Sequence, residues 1–359
     1  MAYSDFRTLW IGSLAAGAAS WALIVARGGL VYNLTDGSSL WVGLVTFAAM
    51  IPRVLVTPIT GYLADRFDRR RVMAVMFALN LAHNLVLAAV VMMGVVTVWH
   101  LVLLSFVNGS ARAAQMPASQ ALIPNLVPPS LLLNAIALNQ ATQNGSRLLG
   151  PLAILPLLKF FGFEAAFLLC SGFYVISLTQ ALRVKTSSTG EIDPNQSFIN
   201  NMLEGLRYVY RTPILRAIVL IALFHCGLTM SFESLLPVLS AQRLGAEEAG
   251  FSLLMMSVGA GAMIAVISIA GVRTEATKGK LFLNLGVLSG LTPAVLALST
   301  GMPMAVGAAV AMGASQAGFM TLTHTMIQSI TPDGVRGRVG GVYSVHIGGM
   351  MASANLING

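Results

Sequence analysis

The chain has 359 residues, of which 56% are hydrophobic and only 9% charged, with a formal net charge of +8. A soluble domain carries about 25% charged residues, so this composition excludes a soluble fold and points to an all-α protein of the membrane. The positive excess belongs to basic loops flanking apolar spans and gives no ground for nucleic-acid binding. Cys170 and Cys226 both fall in apolar runs and read as small core residues, with no disulfide or metal pairing expected.

In chain order, Arg7 is followed by an apolar run to about Tyr32, too long for the h-region of a signal peptide, so the first span is expected to stay in the mature protein. Hydropathy and breaker residues predict eleven spans, within 9–32, 40–62, 73–95, 99–120, 131–157, 164–183, 213–240, 249–271, 281–299, 303–327 and 337–358. Between the second and third lies GYLADRFDRRR (61–71), with four arginines and two aspartates in eleven residues. Residues 184–212 form the one long connection. It is polar at its start, and its second part, FINNMLEGLRYVYR, places Phe198, Met202, Leu206 and Val209 at helical spacing. That spacing predicts an amphipathic helix along the inner membrane face.

Orientation follows from the basic residues. With the N-terminus in the cytoplasm, fifteen of the 21 Lys and Arg fall on the inner side, only Lys159 and Arg243 fall outside, and Arg27, Arg53, Arg112 and Arg147 lie within spans. Eleven spans ending at NLING, with no polar tail, suggest that a twelfth is missing. The expected domains are a six-helix bundle over 1–184, a cytoplasmic linker over 185–212 and a second bundle of about five helices over 213–359. A shift of 204 residues lays Arg7 on Arg211, Arg69 on Arg273 and Pro128 on Pro332, as an internal duplication would. Two parallel halves related by an axis along the membrane normal are a transporter architecture, with the substrate site between them near the midplane.

With these residues in view, GYLADRFDRRR resembles the loop between the second and third helices of the major facilitator superfamily. Gly61, Asp65, Arg66, Arg69 and Arg70 match its pattern, and Asp68 stands where a second glycine is usual. LVYNLTDGSSLWVGL (30–44), EGLRYVYRTPILR (204–216) and TPDGVRGRV (331–339) are similar to the subgroup around the enterobactin exporter and drug-efflux permeases. The resemblance implies twelve helices in two pseudo-symmetric bundles, alternating access and drive by the proton gradient, with no bound cofactor. It also implies a conformational latch in which Gly61 allows close helix approach. Asp65 would face the N-terminal end of the eleventh helix near Arg336 and Arg338, and Arg66, Arg69 and Arg70 would complete the latch. In the fifth span, NGSRLLGPLAIL (144–155) resembles the glycine–proline pattern of antiporters. Gly150 and Pro151 match as a kink site; Ser146, Ile154 and Leu155 depart from it.

Ionisable groups within spans are costly and mark function. Arg27 lies about 27 Å along the first helix and Glu233 about 30 Å along the seventh, at similar depth on helices that correspond under the repeat. They are expected to pair as an outer gate whose release is proton-coupled. Asn139, Gln143 and Arg147 share one face of the fifth helix, and with His225 they are the candidates to line a substrate cavity for an oxygen-rich amphiphile. Arg53 and Arg112 lie close enough to the inner surface to snorkel.

The leading expectation is a proton-coupled exporter of small amphiphiles of siderophore or drug type, a monomer in the bacterial inner membrane whose partners are its substrate and the bilayer. A lysophospholipid or sugar transporter of the same fold, or a non-transporting sensor or scaffold, are the alternatives. The chain has no GxxxxGK[ST] loop to use ATP. Its five histidines are scattered over different spans and its spans nearly lack acids, so no enzyme activity is expected.

Overall fold

In hydrocarbon every backbone N–H and C=O must be bonded within its own segment, so long apolar runs become helices. The structure, a computed structural model, describes residues 3–56, 67–128, 131–186, 198–230, 232, 234–269, 272 and 275–358. Among these there are helices and no strands. The N-terminal part contains α1 (Ser4–Leu34), α2 (Ser39–Met50), α3 (Pro52–Leu55), α4 (Arg69–Met92), α5 (Val98–Leu122) and α6 (Leu132–Arg183). The C-terminal part contains α7 (Phe198–Arg211), α8 (Pro213–Thr229), α9 (Leu236–Val238) followed by a π turn over Leu239–Arg243, α10 (Glu247–Ile269), α11 (Glu275–Ala297), α12 (Met302–Ile330) and α13 (Asp333–Asn358).

Among the described residues six helical segments are long and apolar enough to cross a bilayer alone, or seven if the bent pair at Thr212 is one span. The difference from eleven has physical causes. The expected second span is interrupted at Ile51–Pro52 and continues outside the described residues. Asn108, Ser110, Arg112 and Gln115 dilute α5, as Arg336, Arg338, His346 and a run of glycines dilute α13. The expected fifth and sixth spans are the two arms of α6, which part at Gly162, in the interval the sequence leaves between them; its φ of 83° suits glycine and few other residues. The expected seventh span is broken: α8 stops at Thr229, and helix resumes only at Leu236.

The linker helix α7 lies 104° from α8, the angle of a helix running along a surface from which the next one descends. It packs on α8 and α13, burying Val209 and leaving Arg207 and Arg211 exposed. Tyr210 Oη sits 3.1 Å from His346 Nε2 on α13.

The helix pattern repeats under the same shift of 204 residues. Residues 98–122 then fall on 302–326, over α12, and 69–92 fall on 273–296, over α11. Close crossings repeat too. A Cβ on Gly109 of α5 would collide with Ala49 O of α2, and one on Gly313 of α12, its equivalent, would collide with Val258 O of α10. Small residues at such crossings let helices approach where lipid provides no hydrophobic drive.

Among the described residues the two most extensive contacts between the N- and C-terminal parts are α2 with α13 and α6 with α10. Under the repeat each is the image of the other. In the first, which runs on into α3, Gly348 lies against Arg53 Cβ, and Asn355 Nδ2 donates to Met351 O and reaches Met50 Sδ of α2. In the second, Ser252 Oγ donates to Pro151 O at 2.9 Å, and Gly259 lies on the backbone of Arg147 and Leu148.

At the end predicted to be cytoplasmic, a polar clasp ties the start of the linker to the N-terminal helices. Asp68, in place of the usual glycine, caps α4 by accepting from Arg70 N at 3.0 Å. Arg70 Nη1 donates to Val184 O, the C-cap carbonyl of α6, at 2.9 Å, a favourable end of the helix dipole for a cation. Asp5 accepts from Lys185 N, Thr186 N and Thr186 Oγ1 at 3.0, 2.9 and 2.7 Å. An Asp5→Ala substitution leaves three donors to water and costs about 0.5–1.5 kcal/mol locally. We expect trypsin to cut after Lys185 at least tenfold faster in that variant, and an unchanged cleavage rate would show that the clasp does not hold the linker.

Candidate transport site at the seam

The site is built where α1, α6 and the broken span between α8 and α9 meet. Gly150 and Pro151, the expected kink site, keep helical backbone angles, which α6 leaves at Gly162, and Gly150 serves a close crossing. A Cβ there would lie 2.5 Å from Ala18 O and 2.8 Å from Trp21 Cβ. One turn away, Gly17 of α1 sits on Ser146. This crossing holds Trp21 beside Arg147.

Arg147 is buried, and its guanidinium carbon lies 4.6 Å from the Trp21 ring centroid and 5.8 Å from that of Phe232. Trp21 comes from the N-terminal helices and Phe232 from the break in the seventh span. The cation thus joins two aromatic faces supplied by the two parts of the chain. Of its expected companions, Asn139 is buried and Gln143 exposed. Thr142, between them, takes a 2.5 Å hydrogen bond from Trp10 Nε1, a second polar tie of α6 to α1.

Arg27 is also buried and lines a small cavity between α1 and α2 with Ile24, Gly28, Val31, Val42, Val45 and Thr46. Its expected partner, Glu233, lies outside the described residues, as do Gly61, Asp65 and Arg66 of the latch. Arg69 begins α4, Arg70 is engaged in the clasp, and Arg336 and Arg338 fall in the first turns of α13.

His225 sits apart from Arg147, inside the C-terminal part. Its Nδ1 lies 3.0 Å from Ser289 Oγ of α11, and its ring lies against Phe319 of α12, tilted by 31° with centroids 4.0 Å apart. It acts as a cross-brace of that bundle.

Trp21 and Phe232 are missed by a reading of charges alone, because neither ring is itself ionisable and the charge beside Phe232, Glu233, draws the reading to itself. A second omission did leave a signal. Asn80, His83 and Asn84 stand at helical spacing in apolar α4, and all three are buried. Asn80 Oδ1 accepts from Asn108 Nδ2 of α5 at 2.7 Å, and Ser20 Oγ lies 3.1 Å from Tyr174 Oη. Polar pairs of this kind knit α1, α4, α5 and α6 into one bundle.

Comparison with known proteins agrees with this architecture. The whole chain, residues 1–359, matches the family described as transmembrane secretion effector. Multidrug efflux pump Tap of Mycolicibacterium fortuitum is 25% identical over 339 residues, covering 92% of this chain and 82% of the relative. Macrolide efflux protein A of Streptococcus pyogenes is 25% identical over 266 residues, covering 72% of this chain and 64% of that one. In solved structures the nucleoside transporter NupG superposes with a TM-score of 0.76 at 11% identity, over 99% of this chain and 90% of its own, which speaks to the fold alone. These folds and relatives are those of transporters, which are not enzymes. The chain belongs to the transmembrane secretion effector family of the major facilitator superfamily and is an integral membrane protein.

Proposed function

We propose that this protein is a secondary active exporter of small, oxygen-rich amphiphiles, drug-like in size, driven by the proton gradient. The observation that carries the reading is Arg147, a buried cation stacked on Trp21 and Phe232 at the seam between the two parts of the chain. Aromatic faces suit the apolar body of such a substrate, and a guanidinium suits its carbonyl, hydroxyl or anionic oxygens. The efflux activities named for Tap and macrolide efflux protein A support the same class of cargo.

The full proposal has two pseudo-symmetric bundles, 1–184 and 213–359, joined by 185–212 and alternating about the paired seam in the bacterial inner membrane, with the N-terminus inside. It works as a monomer with eleven spans in this sequence. Gly61, Asp65, Arg66, Arg69, Arg70, Arg336 and Arg338 latch the inner face, and Arg27 with Glu233 gates the outer one. No cofactor enters the cycle.

Everted vesicles carrying the protein are expected to accumulate at least one member of a panel of macrolides, siderophores, amphiphilic drugs and lysophospholipids when acidified inside, and to lose it on addition of a protonophore. The Glu233→Gln variant is expected to retain substrate exchange without a gradient and to lose gradient-driven accumulation. Accumulation by that variant equal to the parent's would remove Glu233 from the coupling, and no accumulation of any substrate by folded parent protein would remove the transport reading.

A further inference from the structure

We propose that the C-terminal bundle contains a site for a soft monovalent metal ion, copper(I) or silver(I), made by the sulfurs of Cys226, Met230 and Met320. Cys226 and Met230 stand one turn apart at the end of α8, and Met320 reaches them from α12. Cys226 Sγ lies 3.8 Å from Met230 Sδ and 3.8 Å from Met320 Sδ. Metal–sulfur bonds of about 2.3 Å place the sulfurs of a three-coordinate site about 4 Å apart, so both thioethers already stand from the thiol at the spacing such an ion requires.

The surroundings fit the same ion. Tyr343 Oη approaches Met320 Sδ at 3.8 Å and would orient that thioether. Met350 from α13 lies over Gly227, the residue after Cys226, where a Cβ would sit 3.3 Å from its sulfur. Cys226 itself is sealed, while Met230, Met320 and Met350 are half-buried, so an ion reaches the thiol past the thioethers.

Charge and softness decide the metal. Cys226 would lose its S–H proton and bind as thiolate, while the methionines remain neutral. A monovalent ion then leaves the site with no net charge in an apolar interior, whereas a divalent ion would leave one buried positive charge. Thioether sulfur binds copper(I) well and zinc poorly. Among the described residues no three of His, Cys, Asp and Glu converge, so the sulfur cluster stands apart from sites for harder ions. Binding involves no oxidation or reduction: one metal–sulfur bond replaces the S–H bond, two thioether lone pairs complete the shell, and one proton leaves per ion.

The test uses purified full-length protein in detergent, titrated anaerobically with copper(I) against the chelator bicinchoninate. The parent is expected to retain one copper(I) per chain and to release one proton as it does so. Cys226→Ser should weaken retention at least 100-fold, and Met230→Leu and Met320→Leu at least tenfold each, while Cys170→Ser should leave it unchanged. X-ray absorption on the loaded parent should show three sulfurs at about 2.3 Å, a readout independent of how the variants fold. No copper retained by the parent, equal retention by a folded Cys226→Ser protein, a shell of nitrogen and oxygen, or equally tight zinc binding would each defeat the proposal.

Discussion

Replacing Arg147 by methionine is expected to lower efflux at least tenfold while the protein still folds into the membrane. Methionine keeps most of the apolar stem of the side chain but removes the cation and its planar donor fork. The guanidinium lies over Trp21 at 4.6 Å and near Phe232 at 5.8 Å, and a desolvated stack of this kind contributes about 1–2 kcal/mol. Losing about 1.4 kcal/mol of substrate or seam interaction corresponds to one power of ten. Arg147→Lys restores the charge without the flat stacking surface, so it should recover only part of the activity. The measurement is the initial rate of substrate accumulation in everted vesicles, normalised to protein in the membrane. Efflux by Arg147→Met within twofold of the parent would show that the stacked cation serves neither the cargo nor the cycle.

The second large effect is structural. A Cβ on Gly261 would overlap Val310 O, and a Cβ on Gly313 would overlap Val258 O. The two glycines make one crossing of α10 and α12 from opposite sides, and both obstructions are backbone, which cannot rotate away as a side chain can. Gly313→Val must therefore push the helices apart. Overpacking costs about 1–3 kcal/mol where the surroundings can yield and more where they cannot, so we expect a loss of at least 10 °C in Tm or no folded protein in the membrane. Gly307→Ala and Gly290→Ala are the controls. Nothing lies within 4 Å of a Cβ at either position, and alanine is the better helix former, so both should unfold at or slightly above the parent's temperature. Equal Tm values for Gly313→Val and the controls would show that α10 and α12 do not cross this closely.

How legible these features were depends on what each rests on. Helices such as Arg69–Met92 and Met302–Ile330 follow from hydropathy alone, because a bilayer leaves a long apolar run no other way to bond its backbone. Breaks were harder to read. The turn at Gly162 falls where the expected fifth and sixth spans part, between Lys159 and Glu164, whereas Pro151 lies within continuous helix and the gap after Thr229 interrupts the expected seventh span. Partner choice was the least legible, since in lipid every apolar face is equally content until small residues decide which can come close. Thus Gly150 was visible as part of a motif, but its place against Ala18 and Trp21 was not. The depth of Arg147 could be counted along its helix. Its aromatic partners lie 126 and 85 positions away in the chain and carry no charge to announce them. His225 shows the converse: it stood out as an intramembrane titratable group, and Ser289 and Phe319 hold it as a brace.

The seam has a further meaning. The pairing of α2 with α13 and that of α6 with α10 are one contact made twice, with the roles of the two parts exchanged. A contact that is its own mirror partner in this sense is the interface of a two-fold symmetric dimer. Each part thus meets the other as it would meet a second copy of itself, and recognition between them is written in the helices rather than in the chain that joins them.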